Sequence, residues 1–274
     1  AASDVYKRQT GKSDVYRGEA SDAALEAVML AVARFASGTY RPRPQQDLEV
    51  RTRPGLEQGV RRIDWAEDST ETVLRTLRAA DCEPGVRDEL LGDQWYLHGG
   101  HPEDQLRGRP GAVLATRAQA ICRATVDGAV WIPQLSPCHP SDTRVPFKLP
   151  AVLALALSDG LPAVPEVPVP LELPAGRCTY SEIRYQERDG VGLVRFTFPG
   201  GAMSTVRCRR LLAAYRFACT RPTRVLVLGG VRDFFCNGIH LGVIEAAANP
   251  AEESWANVQA LEDVVEAVLA TTDR

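Results

Sequence analysis

The spacing of apolar and polar positions divides this chain into segments with different periods. Residues 21–37 are rich in alanine and leucine, which favours a helix, and Gly38 follows directly, where helices commonly end. Helical spacing returns within residues 63–81, where Asp68 and Glu71 stand three positions apart, as in a capping box. The apolar face of this second helix is formed by Val73, Leu74, Leu77 and Ala80.

The period changes to that of β-strands between residues 84 and 150. Gly92–Asp93 and Asp127–Gly128 are turn signals between alternating strands. Several short strands joined by tight turns are typical of a small barrel, which is the architecture we predict here. Residues 158–176 then contain five prolines in nineteen positions, a composition that predicts an extended linker.

The pattern changes again after the linker. A hairpin is predicted to turn at Asp189–Gly190, followed by a helix in "STVRCRRLLAAYRFACT", a buried strand in "RVLVLGG" and an acidic helix over residues 251–270. Strand, crossover helix and strand form a βαβ unit, so the sheet should be parallel at this point. Such sheets bind ligands beyond the carboxyl ends of their strands, where two glycine-rich turns fall, "FPGGAMST" and "GGVRDFFCNGIHL".

Composition and charge argue against some classes of partner and against a metal site. A formal net charge of −3 does not indicate the basic surface that binds nucleic acid or an anionic membrane. No apolar run is long enough to span a bilayer. Seven scattered cysteines without a CxxC pair predict reduced thiols in a cytoplasmic protein. His98 and His101 lie close together, but two histidines without further ligands fall short of a metal site, so none is expected.

The two glycine-rich turns and their strands resemble the crotonase family, the enoyl-CoA hydratases and isomerases. The resemblance covers residues 179–274 and rests on "GAMS", "RVLVL" and "FFCNGIHLGVIE". It implies the N-terminal part of a crotonase-type ββα domain. Members of this family polarise the carbonyl of a coenzyme A thioester with two backbone N–H groups, an oxyanion hole.

The crotonase resemblance assigns roles to residues of both turns. Asn237 is implied to donate its backbone N–H to the thioester oxygen, and Gly238 to let the chain turn there. His240 stands where the family has an aspartate, so it either lines the pocket or is a histidine whose hydrogen bonds are satisfied at the start of a helix. The residues implied to contact coenzyme A are Gly201, Ala202, Met203, Ser204, Asn237, Gly238 and His240.

The first part of the chain resembles formyltransferases. Residues 11–35 resemble the last helix of a formyltransferase catalytic domain. Residues 61–85, with "VDGAVWIPQL" further on, resemble the small C-terminal domain of methionyl-tRNA formyltransferases. A formyltransferase joined to a crotonase module resembles the HypX (HoxX) family of hydrogenase maturation proteins, as do "GGAMST" and "NGIHLGVIEAA".

The HypX resemblance implies an enzyme that transfers a formyl group from 10-formyl-tetrahydrofolate to coenzyme A. The enzyme then releases carbon monoxide from formyl-CoA for the iron of a [NiFe] hydrogenase. The folate site is implied to lie upstream of this chain, and the expected partners are small-molecule substrates and the hydrogenase maturation machinery. The chain is expected to be an internal fragment, inactive alone, because both sets of catalytic side chains are implied to lie outside it.

A multidomain α/β chain is therefore predicted. The domain assignments are residues 1–45 for a foreign lead-in and the last formyltransferase helix, 46–150 for the C-terminal-like barrel domain, 151–178 for the Pro-rich linker, and 179–274 for the crotonase-type part. Two alternatives stay open. One is an ordinary enoyl-CoA hydratase or isomerase fused to an unrelated barrel, and the other is a non-catalytic module that binds coenzyme A.

Overall fold

The chain is described by a computed structural model over residues 11–42, 55, 57–81, 83–138, 147–158, 160–230 and 235–272. The predicted foreign lead-in at residues 1–10 lies outside the described residues. The first elements are helix α1 (Lys12–Arg17), helix α2 (Glu19–Ala36), a 3-10 turn (Gln58–Arg61) and helix α3 (Thr70–Ala79). Gly38 follows α2 with a φ of 66°, which confirms the predicted helix end. Helix α2 buries none of its residues.

Helix α3 is the second helix that the apolar spacing predicts. Its side chains Val73, Leu74 and Leu77 are buried. The predicted cap at Asp68 is wrong, because the N-cap is Ser69, whose Oγ accepts the N–H of Thr72 at 3.2 Å. A serine hydroxyl in this position satisfies one of the N–H groups that the first helical turn leaves unbonded.

Eight short strands and one helix follow. They are β1 (Val86–Leu90), β2 (Asp93–His98), β3 (His101–Glu103), β4 (Val113–Arg117), β5 (Ala120–Ala124), β6 (Ala129–Ile132), β7 (Gln134–Pro137), β8 (Leu149–Pro150) and α4 (Ala151–Ala156). The predicted closed barrel does not form among the described residues. The strands divide into two antiparallel sheets, in the orders β1-β2-β7-β8 and β3-β6-β5-β4.

The chain passes from one sheet to the other at two places. Gly99 and Gly100 separate β2 from β3, and Pro133 separates β6 from β7. Pro133 has no N–H to continue a ladder, so β6 and β7 cannot run on as one paired strand. The main core lies where α3, α4 and both sheets meet, and it includes Leu77 and Leu135.

The remaining elements build a smaller α/β unit. They are β9 (Ile183–Arg188), β10 (Val191–Phe196), a 3-10 turn (Pro199–Gly201), α5 (Thr205–Cys219), β11 (Val225–Gly230), α6 (Leu241–Glu245) and α7 (Pro250–Ala270). Strands β9 and β10 are antiparallel and turn at Asp189 and Gly190, both with positive φ, while β10 and β11 are parallel. The predicted hairpin and βαβ unit are thus confirmed.

The segment assigned to the linker is tied to the first unit at several points. The segment assigned to the linker begins with α4, whose Ala151, Ala154 and Leu155 are buried, so these residues belong to the folded unit instead. Further on, Glu166 forms a parallel bridge with Thr116 of β4. None of the helices that the structure describes is long and apolar enough to cross a membrane.

Candidate functional site

The two glycine-rich turns lie side by side. We call residues 199–204 the first turn and residues 235–240 the second turn. The backbone N–H of Asn237 donates to the carbonyl oxygen of Gly201 at 2.8 Å, and its side-chain Nδ2 donates to that of Gly200 at 2.7 Å. In return, the N–H of Met203 donates to the carbonyl oxygen of Gly238 at 2.9 Å. Three hydrogen bonds therefore join the turns into one site.

Glycine is required in both turns by backbone conformation rather than by crowding. Gly200, Gly201 and Gly238 have φ angles of 67°, 70° and 80°, a region that side chains with a Cβ rarely adopt. A Cβ added to Gly200 or Gly238 would meet no atom within 4 Å. Open space therefore lies in front of both turns, as a ligand that approaches the backbone would need.

Two buried side chains hold the first turn from the protein side. Arg207 of α5 donates from Nη1 to the carbonyl oxygen of Ala202 at 3.1 Å. Asn257 of α7 donates from Nδ2 to the carbonyl oxygen of Met203 at 2.8 Å. Sequence reasoning missed both residues. A signal was present, since Asn257 interrupts the buried stripe that Ala260 and Val264 continue along α7.

The carbonyl groups of the first turn and the N–H groups of the second turn differ in whether they are hydrogen-bonded. All four carbonyls from Gly200 to Met203 accept hydrogen bonds from Asn237, Arg207 or Asn257. By contrast, the N–H groups of Gly238 and Ile239 have no acceptor among the described residues. The N–H of Asn237, the predicted oxyanion donor, is occupied by Gly201, so in this structure it cannot also bind a substrate oxygen. The donors left available are those of the next two residues.

His240 lies at the start of helix α6 as its N-cap. Its Nδ1 accepts the N–H of Val243 at 3.2 Å, and the ring is 5% exposed. Burial, with a smaller contribution from the nearby Arg207 charge, lowers the pKa of His240 to about 4. Its Nε2 has no partner among the described residues. The structure therefore gives His240 the helix-start position of the second interpretation, although only one of its two nitrogens is satisfied.

The side chains of Met203 and Ser204 support the fold, and the contacts with coenzyme A predicted for these residues stay a prediction. Met203 is completely buried in the core beneath the small sheet. Ser204 is the N-cap of α5, and its Oγ accepts the N–H of Arg207 at 3.4 Å. Only their backbone atoms remain as possible contacts for a ligand.

A buried carboxylate fixes the arginine that holds the first turn. Glu182 accepts from Arg207 through Nε at 3.1 Å and Nη2 at 2.9 Å, and from Arg210 at 2.5 Å. The hydroxyl of Tyr180 donates to the same carboxylate at 3.0 Å. Burial, together with the neighbouring Glu182 charge, raises the pKa of Tyr180 well above its ordinary value. Together these four side chains form a polar cluster behind the first turn, in which Tyr180, Glu182 and Arg207 are buried and Arg210 is partly exposed.

A second buried carboxylate joins the first unit to the chain just before β9. Glu103 accepts from Trp131 at 2.7 Å and from the hydroxyl of Thr179. Arg117 donates to the carbonyl oxygen of Tyr180 at 3.1 Å and also bonds Thr179. Within the part of the chain that the structure describes, no group of three or more histidine, cysteine or acidic side chains could hold a metal ion.

Comparison with known proteins identifies relatives for both parts of the chain. Residues 56–144 match the family described as formyl transferase, C-terminal domain. The methionyl-tRNA formyltransferase of Streptococcus pneumoniae is 23% identical over 103 residues, 38% of this chain and 32% of that protein. The family match covers the region of the two antiparallel sheets.

Two proteins match almost the whole chain. Hydrogenase maturation factor HoxX of Bradyrhizobium diazoefficiens is 43% identical over 270 residues, which are 97% of this chain and 45% of HoxX. The crystal structure of HypX from Aquifex aeolicus in complex with tetrahydrofolic acid superposes with a TM-score of 0.89 at 41% identity, covering 97% of this chain and 46% of that one. The chain thus spans less than half the length of these two proteins. By this agreement in sequence and structure, it belongs to the HoxX/HypX family of hydrogenase maturation factors.

Proposed function

We propose that the protein containing this chain transfers a formyl group from 10-formyl-tetrahydrofolate to coenzyme A and then releases carbon monoxide from formyl-CoA. The carbon monoxide would serve the iron centre of a [NiFe] hydrogenase. Three findings support the proposal: the likeness to HoxX and HypX, the tetrahydrofolic acid in the HypX crystal structure, and the formyltransferase C-terminal domain. We propose further that the protein acts in the cytoplasm with the hydrogenase maturation machinery.

The feature of this chain that carries the proposal is the pair of N–H groups at Gly238 and Ile239, which meet no acceptor among the residues that the structure describes. Two such donors, held on a fixed backbone beside open space, suit a carbonyl oxygen on which negative charge develops. The first turn supplies the opposite wall, where Gly200 and Ala202 can meet the pantetheine or adenine end of coenzyme A with backbone atoms. The proposed thioester oxygen therefore lies against Gly238 and Ile239 rather than against Asn237.

The proposed release of carbon monoxide from formyl-CoA needs no further reactant. The C–S bond and the formyl C–H bond of formyl-CoA break, carbon monoxide leaves, and the proton ends on the sulfur of coenzyme A. The N–H pair would bind and orient the formyl oxygen during this step. Proton transfer would require side chains of the protein outside the two turns, because His240 is buried and a pKa of about 4 makes its ring a weak base.

Substitution of Gly238 by valine in the full-length protein is expected to impair carbon monoxide release while formyl transfer continues. A β-branched residue is strained at a φ of 80° and would fill the open space in front of the N–H pair. Loss of one oxyanion donor typically costs about 10²–10³ in rate. The rate of carbon monoxide release from formyl-CoA and the rate of folate-dependent formyl transfer are measured separately.

Gly176 offers a matched control for this test. Its φ is 81°, an added Cβ would meet nothing within 4 Å, and it lies in the Pro-rich segment away from both turns. Gly176→Val therefore carries the same backbone strain without touching the site. If Gly238→Val and Gly176→Val release carbon monoxide equally fast, the assignment of the turns is wrong. Hydration of an enoyl-CoA by the unsubstituted protein would instead favour an ordinary crotonase.

A further inference from the structure

We infer that Asn257 is a positioning residue that fixes the direction of the Gly238 and Ile239 N–H groups. This inference rests on the proposed function for the nature of the ligand, but its structural part is independent of that proposal. The side-chain amide of Asn257 bridges the two turns, donating to one and accepting from the other. No residue in the described part of the chain other than Asn257 bonds both turns through the two ends of one side chain.

The contacts of Asn257 use both ends of its amide. Nδ2 donates to the carbonyl oxygen of Met203 at 2.8 Å, and Oδ1 accepts the N–H of His240 at 3.2 Å. A carbonyl must receive a donor and an N–H must meet an acceptor, so these partners allow one orientation of the amide. The side chain is 1% exposed, and the amide is therefore bonded only within the protein.

Packing alone does not explain an asparagine at this position. Asparagine is unfavourable inside a helix, and a buried amide costs free energy unless it is hydrogen-bonded. Positions 260 and 264 on the same stripe of α7 are Ala260 and Val264, both buried. An apolar side chain at position 257 would continue that stripe but would remove the donor that meets the carbonyl of Met203 and the acceptor that meets the N–H of His240. The amide therefore satisfies the turns rather than the helix.

Hydrogen bonds hold the second turn both before and after the N–H groups of Gly238 and Ile239. Before the pair, Asn237 is bonded to Gly201 through its own N–H. After it, the N–H of His240 is held by Asn257. Between them, the carbonyl of Gly238 is held by Met203, whose own carbonyl is held by Asn257. Asn257 thus anchors the chain after the pair directly and the chain within it through Met203.

Two substitutions disturb the hydrogen bonds of the amide in different ways. Asn257→Leu removes the hydrogen bonds to both turns while keeping the number and branching of the side-chain heavy atoms. Asn257→Asp keeps an acceptor for His240 but turns a carboxylate oxygen toward the carbonyl of Met203, which repels it. Both variants should release the second turn, and the aspartate variant keeps the shape of the native side chain if the leucine variant folds poorly.

The experiment compares these variants in the full-length protein by amide hydrogen exchange and by calorimetric titration with coenzyme A. Loss of a buried hydrogen bond of this kind corresponds to about a tenfold change in an equilibrium constant. We expect exchange in the peptide covering residues 235–240 to become about tenfold faster, and the affinity for coenzyme A to fall by about the same factor. The KM for 10-formyl-tetrahydrofolate should not change, because its proposed site lies elsewhere.

Asn249→Ala is the matched control on the same helix. Asn249 is the exposed N-cap of α7, where its Oδ1 accepts the N–H of Glu252 at 3.3 Å. Its loss weakens α7 by an amount typical of a lost cap without removing a bond to either turn. Equal acceleration of exchange in Asn249→Ala would show an effect of helix stability and would overturn the inference.

The remaining outcomes distinguish the inference from the proposed function. Unchanged exchange in residues 235–240 of both Asn257 variants overturns the inference, whatever the protein binds. Faster exchange with a loss of coenzyme A affinity supports both. Faster exchange in a protein that binds no coenzyme A even when unsubstituted supports the positioning role and contradicts the proposed ligand.

Discussion

Replacing Glu182 with leucine is expected to lower the free energy of unfolding by about 3–5 kcal/mol, the loss typical of removing one partner from a buried ion pair. The Glu182 side chain is completely buried, and that of Arg207 is 3% exposed. Without the carboxylate, Arg207 would keep its charge in a site that water cannot reach. Chemical denaturation of the variant and the parent measures the difference.

Glu187 provides a control of the same local sequence. Tyr180 donates to Glu182, and five residues later Tyr185 donates to Glu187 at 3.1 Å, which also pairs with Arg221. This second cluster is partly open to solvent, so water can replace the lost partner and Glu187→Leu should cost much less. Equal losses for the two variants would contradict the role assigned to burial.

The double variant Glu182→Leu, Arg207→Met tests the cause of the loss. Replacement of both charges by apolar groups removes the unpaired cation, so part of the lost stability should return. A double variant less stable than Glu182→Leu would mean that Arg207 stabilises the fold through its bond to Ala202 more than its unpaired charge destabilises it.

Acidification from pH 7 to pH 5 is expected to destabilise the fold by about 4 kcal/mol through two buried histidines. Burial, with the nearby charge of Lys148, lowers the pKa of His98 to about 4. The pKa of His240 is also lowered to about 4, as described above. In the unfolded chain both titrate near 6.5, the ordinary pKa of a histidine side chain. Below that pH the unfolded chain binds protons that the folded protein does not, so stability falls until the pH reaches the folded pKa. Each histidine contributes about half of the total.

Variants without a titrating ring should flatten this dependence. His98→Gln and His240→Asn remove one titration each, and asparagine is itself a good N-cap for α6. Each should reduce the loss of stability between pH 7 and pH 5 by about 2 kcal/mol, measured by urea unfolding at both pH values. A dependence as steep as that of the parent in both variants would show that other groups cause it.

Local signals were enough to predict several elements of the fold. The turn at Asp189 and Gly190 needs two residues with positive φ, and this sequence favours them. The buried face of α3 follows from helical spacing alone. The two-sheet arrangement could not be derived in this way, because the exchange between sheets at Pro133 depends on which strands pair, and many pairings are compatible with the same alternation.

The candidate site could likewise be predicted only in part from the sequence. The family resemblance located both turns, and positive φ at Gly200 and Gly238 follows from their residue type. Which N–H group of the second turn stays available depends on its pairing with the first turn, and this pairing assigned the N–H of Asn237 to Gly201. Arg207 and Asn257 reach the turns from separate helices, and only tertiary packing brings them there.

The helix α2, which buries no side chain, has a consequence for spectroscopic measurements on this chain. Its hydrogen bonds are not protected by packing, so it should open at a lower free energy than the sheets. Three of the four tryptophans, Trp65, Trp95 and Trp131, are buried in the first unit and report on that unit, while Trp255 of α7 is exposed and lies far along the chain from α2. Far-ultraviolet circular dichroism would therefore begin to fall before tryptophan fluorescence changes. A single midpoint fitted to both signals would not describe a two-state transition.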